Sequence, residues 1–193
     1  MLKLENICKS YGENTVLSGV SLTVSDGEFV CLTGRSGCGK TTLMRIASGL
    51  ETPDSGTVYS DGGRYSFCFQ ENRLLPHVSA LDNITAVCPD KTRALEYLDK
   101  VGLSDHIKKY PDELSGGMKR RLALCRCLCY GGDVFFLDEP LRELDAETYS
   151  KMKELIKDEL RGKTVLMITH SEEEAKELSD RVIELNGELR TEN

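Results

Sequence analysis

Gly34-Arg35-Ser36-Gly37-Cys38-Gly39-Lys40-Thr41 matches the pattern G-x-x-x-x-G-K-S/T in full. Glycines at these places let the backbone curl until several N–H groups face inward at phosphate oxygens. A helix opening after Gly39 directs its positive end to the same spot. Lys40 is the residue to reach β- and γ-phosphates, and the Thr41 hydroxyl is a hard oxygen suited to Mg2+. The surroundings are those the motif requires. Residues 28–33 form a nearly continuous apolar run, and Leu43, Ile46, Ala47 and Leu50 recur afterwards at helical spacing.

Two further sets bear on the same chemistry. Leu137-Asp138-Glu139-Pro140 ends a second apolar run, residues 134–137. A carboxylate at a strand tip holds magnesium, usually through water, which assigns Asp138; Glu139 beside it would face an attacking water as general base. Alone, two acids at a strand end read equally well as solvated charges, and the phosphate loop in the same chain decides for the metal. Leu114-Ser115-Gly116-Gly117-Met118 precedes a helix reaching about residue 130, with Met118, Leu122, Cys125 and Cys129 on one face. Ser115 is a natural N-cap, and the two glycines leave the first N–H groups bare, making a second anion site.

These residues need a scaffold. Residues 2–7 and 20–24 alternate apolar and polar as half-buried strands do, whereas 28–33, 134–137 and 164–169 read as strands covered on both faces. Tyr149, Met152, Ile156 and Leu160 follow the second run at helical spacing, and Ser171 with Glu174 reads as a capping box. Buried strands alternating with helices predict a parallel sheet with helices on both faces. Residues 181–185 read as a strand and Asn186-Gly187 as a hairpin turn. Residues 71–114 carry weaker helical patterns, including Ala94, Leu95 and Leu98, and read as an inserted lobe.

The bulk numbers set bounds. A length of 193 residues fits one domain with at most a small lobe, and no internal repeat or linker is visible. A net charge of −7, with sequence pI near 5.1, argues against a general nucleic-acid binder. No apolar run approaches the roughly 18 residues of a membrane span. Residues 1–6 have no signal-peptide core, so the expectation is a cytosolic chain that reaches any membrane through a partner. The 8 cysteines lie mostly in apolar segments and read as small reduced hydrophobes. Cys125, Cys127 and Cys129 are two apart on a helix and do not converge on one ion.

Taken together, the motifs resemble those of ABC ATPases over nearly the whole chain. The resemblance implies an α/β fold: a P-loop NTPase (RecA-like) parallel-sheet core, an N-terminal antiparallel β subdomain and an inserted small helical subdomain. It implies one domain over 1–193, with 1–70 and 115–193 as nucleotide-binding core and about 71–114 helical. ATP and Mg2+ are the implied cofactors. Residues 34–42, namely Gly34, Arg35, Ser36, Gly37, Cys38, Gly39, Lys40, Thr41 and Thr42, would hold the phosphates. Tyr11, in Lys9-Ser10-Tyr11-Gly12, would stack on adenine, although a lone tyrosine is more often packing. Gln70, after residues 65–69, matches the glutamine that senses magnesium and the attacking water. Thr41, Gln70 and Asp138 would serve the metal. Glu139, His170 and Gln70 would serve catalysis, His170 as the switch histidine on the γ-phosphate. Leu144-Asp145 matches the family's D-loop.

In that family two domains pair head to tail, so Ser115, Gly116, Gly117 and Asp145 would address a nucleotide held by a partner copy. The implied partners are a second ABC ATPase domain (identical or not), a membrane permease and a solute-binding protein, at the inner face of the cell membrane. Gln70-Glu71-Asn72-Arg73-Leu74-Leu75-Pro76 with Leu81-Asp82-Asn83 looks like importers of the nitrate, sulfonate and taurine group, which nominates residues 73–76 as a permease contact. A soluble ABC ATPase acting on another protein assembly is the alternative. Three residues depart from the family pattern: Met118 replaces a glutamine, and Arg142 and Glu143 replace small residues. The last two are expected to be solvated or to pair with a partner chain.

Overall fold

The computed structural model describes residues 1–185 and the backbone of 189–191. The Asn186-Gly187 turn lies outside the described residues. The chain divides into two compact units: residues 1–65, 133–138 and 160–193 form the first, and 66–132 with 139–159 the second.

In the first unit, β1 (Leu2–Tyr11) pairs antiparallel with β2 (Asn14–Val24) and with β4 (Ser55–Ser60), in the order β2-β1-β4. Their alternation buries Leu2, Leu4 and Ile7 against Leu17, Val20, Leu22 and Val24. The unit's second sheet runs β6 (Val134–Asp138), β7 (Thr164–Ile168), β3 (Phe29–Thr33), β8 (Arg181–Leu185), β9 (Leu189–Thr191). The first four of these are mutually parallel, and β9 returns antiparallel on β8. Every residue of β6 and β7 is buried, which explains their unbroken apolar runs. Tyr65, where β5 (Tyr65–Cys68) begins, meets Phe136 edge-on, with ring centroids 5.5 Å apart. Helices α1 (Lys40–Ala47) and α6 (Glu172–Leu178) pack on this sheet. Ser171 caps α6, its hydroxyl accepting from the Glu174 N–H at 3.2 Å.

Register decides where the chemistry sits. Leu32 and Asp138 both align with Ile168, so β3, β6 and β7 end together at one edge. The loops after all three strands leave from that carboxyl-end edge, the place where open parallel sheets hold ligands.

The second unit is mainly helical: α2 (Ala80–Thr85), α3 (Lys91–Lys100), α4 (Gly116–Tyr130) and α5 (Ala146–Glu159), with 3-10 turns at Ser104–His106 and Pro111–Glu113. Helix α4 packs against α2 and α3. It is buried almost all round, including Arg120, Leu122, Leu124, Cys125, Cys127, Leu128 and Cys129, not along the single face the spacing indicates. All 8 cysteines are free. Burial pushes the Cys125 thiol up, and that of Cys129 up to about 12, so both are packing groups at neutral pH. Asn83, fully buried, does the work of a loop pin: it accepts from the Leu75 N–H and donates to the carbonyls of Leu75 and Ser79.

Candidate nucleotide site

The phosphate loop is built from β3 outward. Gly34 has φ 132°, and a Cβ there would lie 2.4 Å from the Leu185 carbonyl oxygen. Gly39 has φ 100°, and its Cβ would lie 2.7 Å from Leu17 Cδ2. Only glycine fits either position. Gly39 is also the N-cap of α1, and it offers no side-chain oxygen to the helix. The first bond back to it comes from the Leu43 N–H at 2.8 Å, so the N–H groups of Lys40, Thr41 and Thr42 precede the intrahelical ladder. They are the donors a phosphate takes.

Lys40 is 6% exposed; its Nζ donates to the carbonyls of Gly34 at 2.8 Å and Arg35 at 2.9 Å. The ammonium is thereby held within the curl of the loop. The Thr41 hydroxyl donates to Asp138 Oδ2 at 3.1 Å, and Asp138 is 2% exposed. A hydroxyl and a buried carboxylate at this separation are two hard oxygen donors of the kind Mg2+ takes. Among the described residues no three His, Cys, Asp or Glu side chains cluster as a self-sufficient metal site.

His170 follows β7 and Thr169 and is exposed. With Gly34, Arg35 and Thr33 it lines a cavity of about 270 Å³. Tyr11 ends β1 with its ring 49% exposed. Its hydroxyl donates to the Glu51 carboxylate and lies in hydrogen-bond reach of Thr42, in the first turn of α1. The Glu51 contact pushes the phenol above its ordinary pKa. Gly34 to Thr42, Asp138, His170 and Tyr11 all belong to the first unit.

The second unit carries the remaining residues. Ser115 caps α4, its hydroxyl accepting from the Met118 N–H at 3.3 Å. A Cβ at Gly116 or Gly117 would meet nothing nearer than 3.6 Å. The chain's own packing therefore does not require glycine there, and the bare backbone faces outward. Asp145 receives the Thr148 N–H at 3.0 Å and the Thr148 hydroxyl at 2.8 Å, which hold its carboxyl below the usual range. It thus caps the start of α5. Gln70 is exposed and, with Glu71, Asn72, Arg120, Arg142 and Glu143, lines a cavity of about 310 Å³.

Arg120 is a residue the motif reading passes over. It is 4% exposed and donates to the carbonyls of Phe69 at 2.6 Å, Gln70 at 3.2 Å and Pro140 at 3.1 Å, and to that of Glu139. One guanidinium fork therefore ties the Gln70 segment to the Glu139 segment. The available signal was a charge on the buried surface of α4, in line with Ala123, Leu124 and Cys127. Arg142 and Glu143 are both exposed, as expected of solvated charges, and they also pair within the chain. Arg142 bridges Glu139 and Glu143, at 3.3 Å to each.

A glycine-lined phosphate loop at the carboxyl edge of a parallel sheet, with a buried aspartate against its threonine, defines a phosphate-loop NTPase. The family model described as "ABC transporter" matches residues 17–142. The chain is 43% identical over 200 residues to "Aliphatic sulfonates import ATP-binding protein SsuB 2" of Agrobacterium fabrum, covering 97% of this chain and 77% of that one. It is 46% identical over 195 residues to the SsuB 1 protein of Rhodococcus jostii, covering 97% and 80%. To "Sulfate/thiosulfate import ATP-binding protein CysA 2" of Chromobacterium violaceum it is 40% identical over 205 residues, covering 96% of this chain and 56% of that one. Among solved structures, the dimeric bacterial ABC transporter cassette MJ0796 superposes with TM-score 0.93 at 32% identity, covering 100% of this chain and 98% of that one. A post-hydrolysis dimer of the same cassette, bound to ADP and Pi, gives TM-score 0.92. The chain belongs to the ABC transporter family, and it is an ATPase.

Proposed function

We propose that this chain energises import of a small solute by hydrolysing ATP in sites shared by two copies, or by one copy and a similar chain. The observation that carries the reading is the pair of bare helix starts: the loop around Lys40, and the start of α4 at Ser115 with its unencumbered glycines. Each is an anion site, and one triphosphate gripped by both, from opposing copies, closes the pair. Hydrolysis breaks that bridge and lets the pair open.

The chain's residues divide the work. The loop N–H groups and Lys40 bind the β- and γ-phosphates. Glu139 accepts the proton of the attacking water, Gln70 orients that water, and His170 contacts the γ-phosphate as its bond to the ADP leaving group breaks. Tyr11 offers its exposed ring to adenine. Thr41, Asp138 and Gln70 would serve Mg2+, which would supply charge neutralisation on the phosphate oxygens. The other copy contributes Ser115, Gly116 and Gly117 to the γ-phosphate and Asp145 to the facing surface.

No helix among the described residues is long and apolar enough to cross a membrane. The membrane is reached through a permease, on its cytoplasmic face, with residues 73–76 as the docking point and a solute-binding protein delivering cargo on the far side. The relatives named for aliphatic sulfonate and for sulfate import make sulfur oxyanions the first cargo class to test. The decisive experiment is sizing of Glu139→Gln with and without MgATP. A stable ATP-dependent dimer is expected; monomer at saturating ATP removes the shared site.

A further inference from the structure

Residues 139–143 form a tight loop with two strained points. Glu139 has φ 50° and Glu143 φ 64°, both left-handed, a conformation strained for a non-glycine residue. Such a loop persists only when its surroundings hold it. The backbone is held by Arg120, through the carbonyls of Glu139 and Pro140, and by the Arg142 N–H on the Glu139 carbonyl at 3.3 Å. The Glu139 side chain is held differently. Arg142 Nη1 donates to Glu139 Oε2 at 3.3 Å, while Arg142 Nε lies 3.3 Å from Glu143 Oε1.

Exposure grades outward along this series: 10% for the Glu139 side chain, 53% for Arg142 and 67% for Glu143. The enclosed carboxylate is thus steadied by a cation that is itself anchored at the surface. The Arg142 contact is made to one oxygen, so it fixes the carboxylate's direction without a bidentate clamp across both. A half-exposed pair of this kind adds little to stability, so its purpose is not to hold the fold.

We propose that Arg142, anchored by Glu143, is a positioning residue for ATP hydrolysis that aims the Glu139 carboxylate at the attacking water. The proposal rests on the reading of Glu139 as general base. It also gives a role to the two charged residues that stand where the family pattern has small ones.

The test is steady-state ATP hydrolysis by the full chain carrying Arg142→Ala, Arg142→Lys, Glu143→Ala or Glu139→Gln, with KM for ATP and thermal midpoint measured for each. Arg142→Ala is expected to lower kcat about tenfold, because a misaimed catalytic group costs rate steeply, with KM and midpoint unchanged. Arg142→Lys restores most of the loss, and Glu143→Ala gives a smaller loss in the same direction. Parental kcat in Arg142→Ala overturns the proposal, as does a lysine variant no better than the alanine one, or a change confined to KM. Full turnover by Glu139→Gln overturns the base reading itself. Loss in Glu139→Gln beside parental Arg142→Ala leaves that reading standing and removes only the positioning role.

Discussion

The Thr41 hydroxyl donates to the Asp138 carboxylate at 3.1 Å across 97 residues of chain. Strand register makes this meeting: β3 delivers the loop that leads to Thr41, β6 ends in Asp138, and both align on Ile168 of β7. Neither residue alone distinguishes a metal site from a helix start and a strand tip. Their proximity supports the proposed metal site, because it joins a neutral and an anionic hard oxygen at the mouth of a phosphate loop.

Asp138→Asn keeps the shape of the carboxylate and removes its charge. MgATP affinity is expected to fall about tenfold or more, the usual cost of losing a partner in a metal's outer shell. ATP binding measured in EDTA should differ little between variant and parent, and EDTA should abolish turnover in the parent. Equal loss of affinity with and without Mg2+ would mean that Asp138 supports the loop rather than the ion.

The Lys40 ammonium turns back to the Gly34 and Arg35 carbonyls and the Cys38 sulfur, all within the loop. Lys40→Ala therefore removes the cation proposed to meet the β- and γ-phosphates while sparing the sheet. Turnover should fall about 100-fold or more, in the range for loss of one preorganised charge. Titration with a fluorescent ATP analogue should show weakened binding. Unchanged turnover would remove the phosphate-loop assignment.

The phosphate loop, Asp138 and the Ser115 cap were legible because each depends on local rules: glycine at positive φ, a carboxylate at a strand tip, a hydroxyl before a helix. The parallel sheet was legible because strands buried on both faces write unbroken apolar runs. Arg120 was not legible as a site residue. Its partners are backbone carbonyls fifty and twenty residues away, and carbonyls carry no sequence signature. The Arg142 bridge was hidden for another reason: ion pairs in a loop depend on dihedral angles at Glu139 and Glu143 that a side-chain pattern does not specify.

Arg73 stacks its guanidinium 4.1 Å from the Phe69 ring centroid, and Leu75, two residues on in the chain, is 45% exposed. An exposed apolar side chain two residues from a ring-supported cation offers an anchor pair to a helix from another subunit. Replacing residues 73–76 with alanine or serine should leave ATP hydrolysis by the free chain within about twofold, since surface substitutions away from structural features change little. Co-purification with the permease should be lost. Retained co-purification would move the contact elsewhere.

Arg120 ties two segments of the second unit together. Its fork satisfies four backbone carbonyls from two segments, at residues 69, 70, 139 and 140. Arg120→Met fills the space with an apolar chain and leaves those carbonyls without their charged donor. Several weakened bonds of this type amount to about 3 kcal/mol or more, which at this chain length lowers the thermal midpoint by roughly 6–12 °C. Arg120→Lys keeps the charge but supplies a point donor in place of a planar fork, so it should recover only part of the midpoint. Turnover gives the second readout. Gln70 and Glu139 are carried on the two segments that Arg120 ties, so kcat should fall in both variants well below their melting temperatures, with ATP affinity retained. A variant that melts early yet hydrolyses normally when folded would confine Arg120 to stability and uncouple it from the reaction.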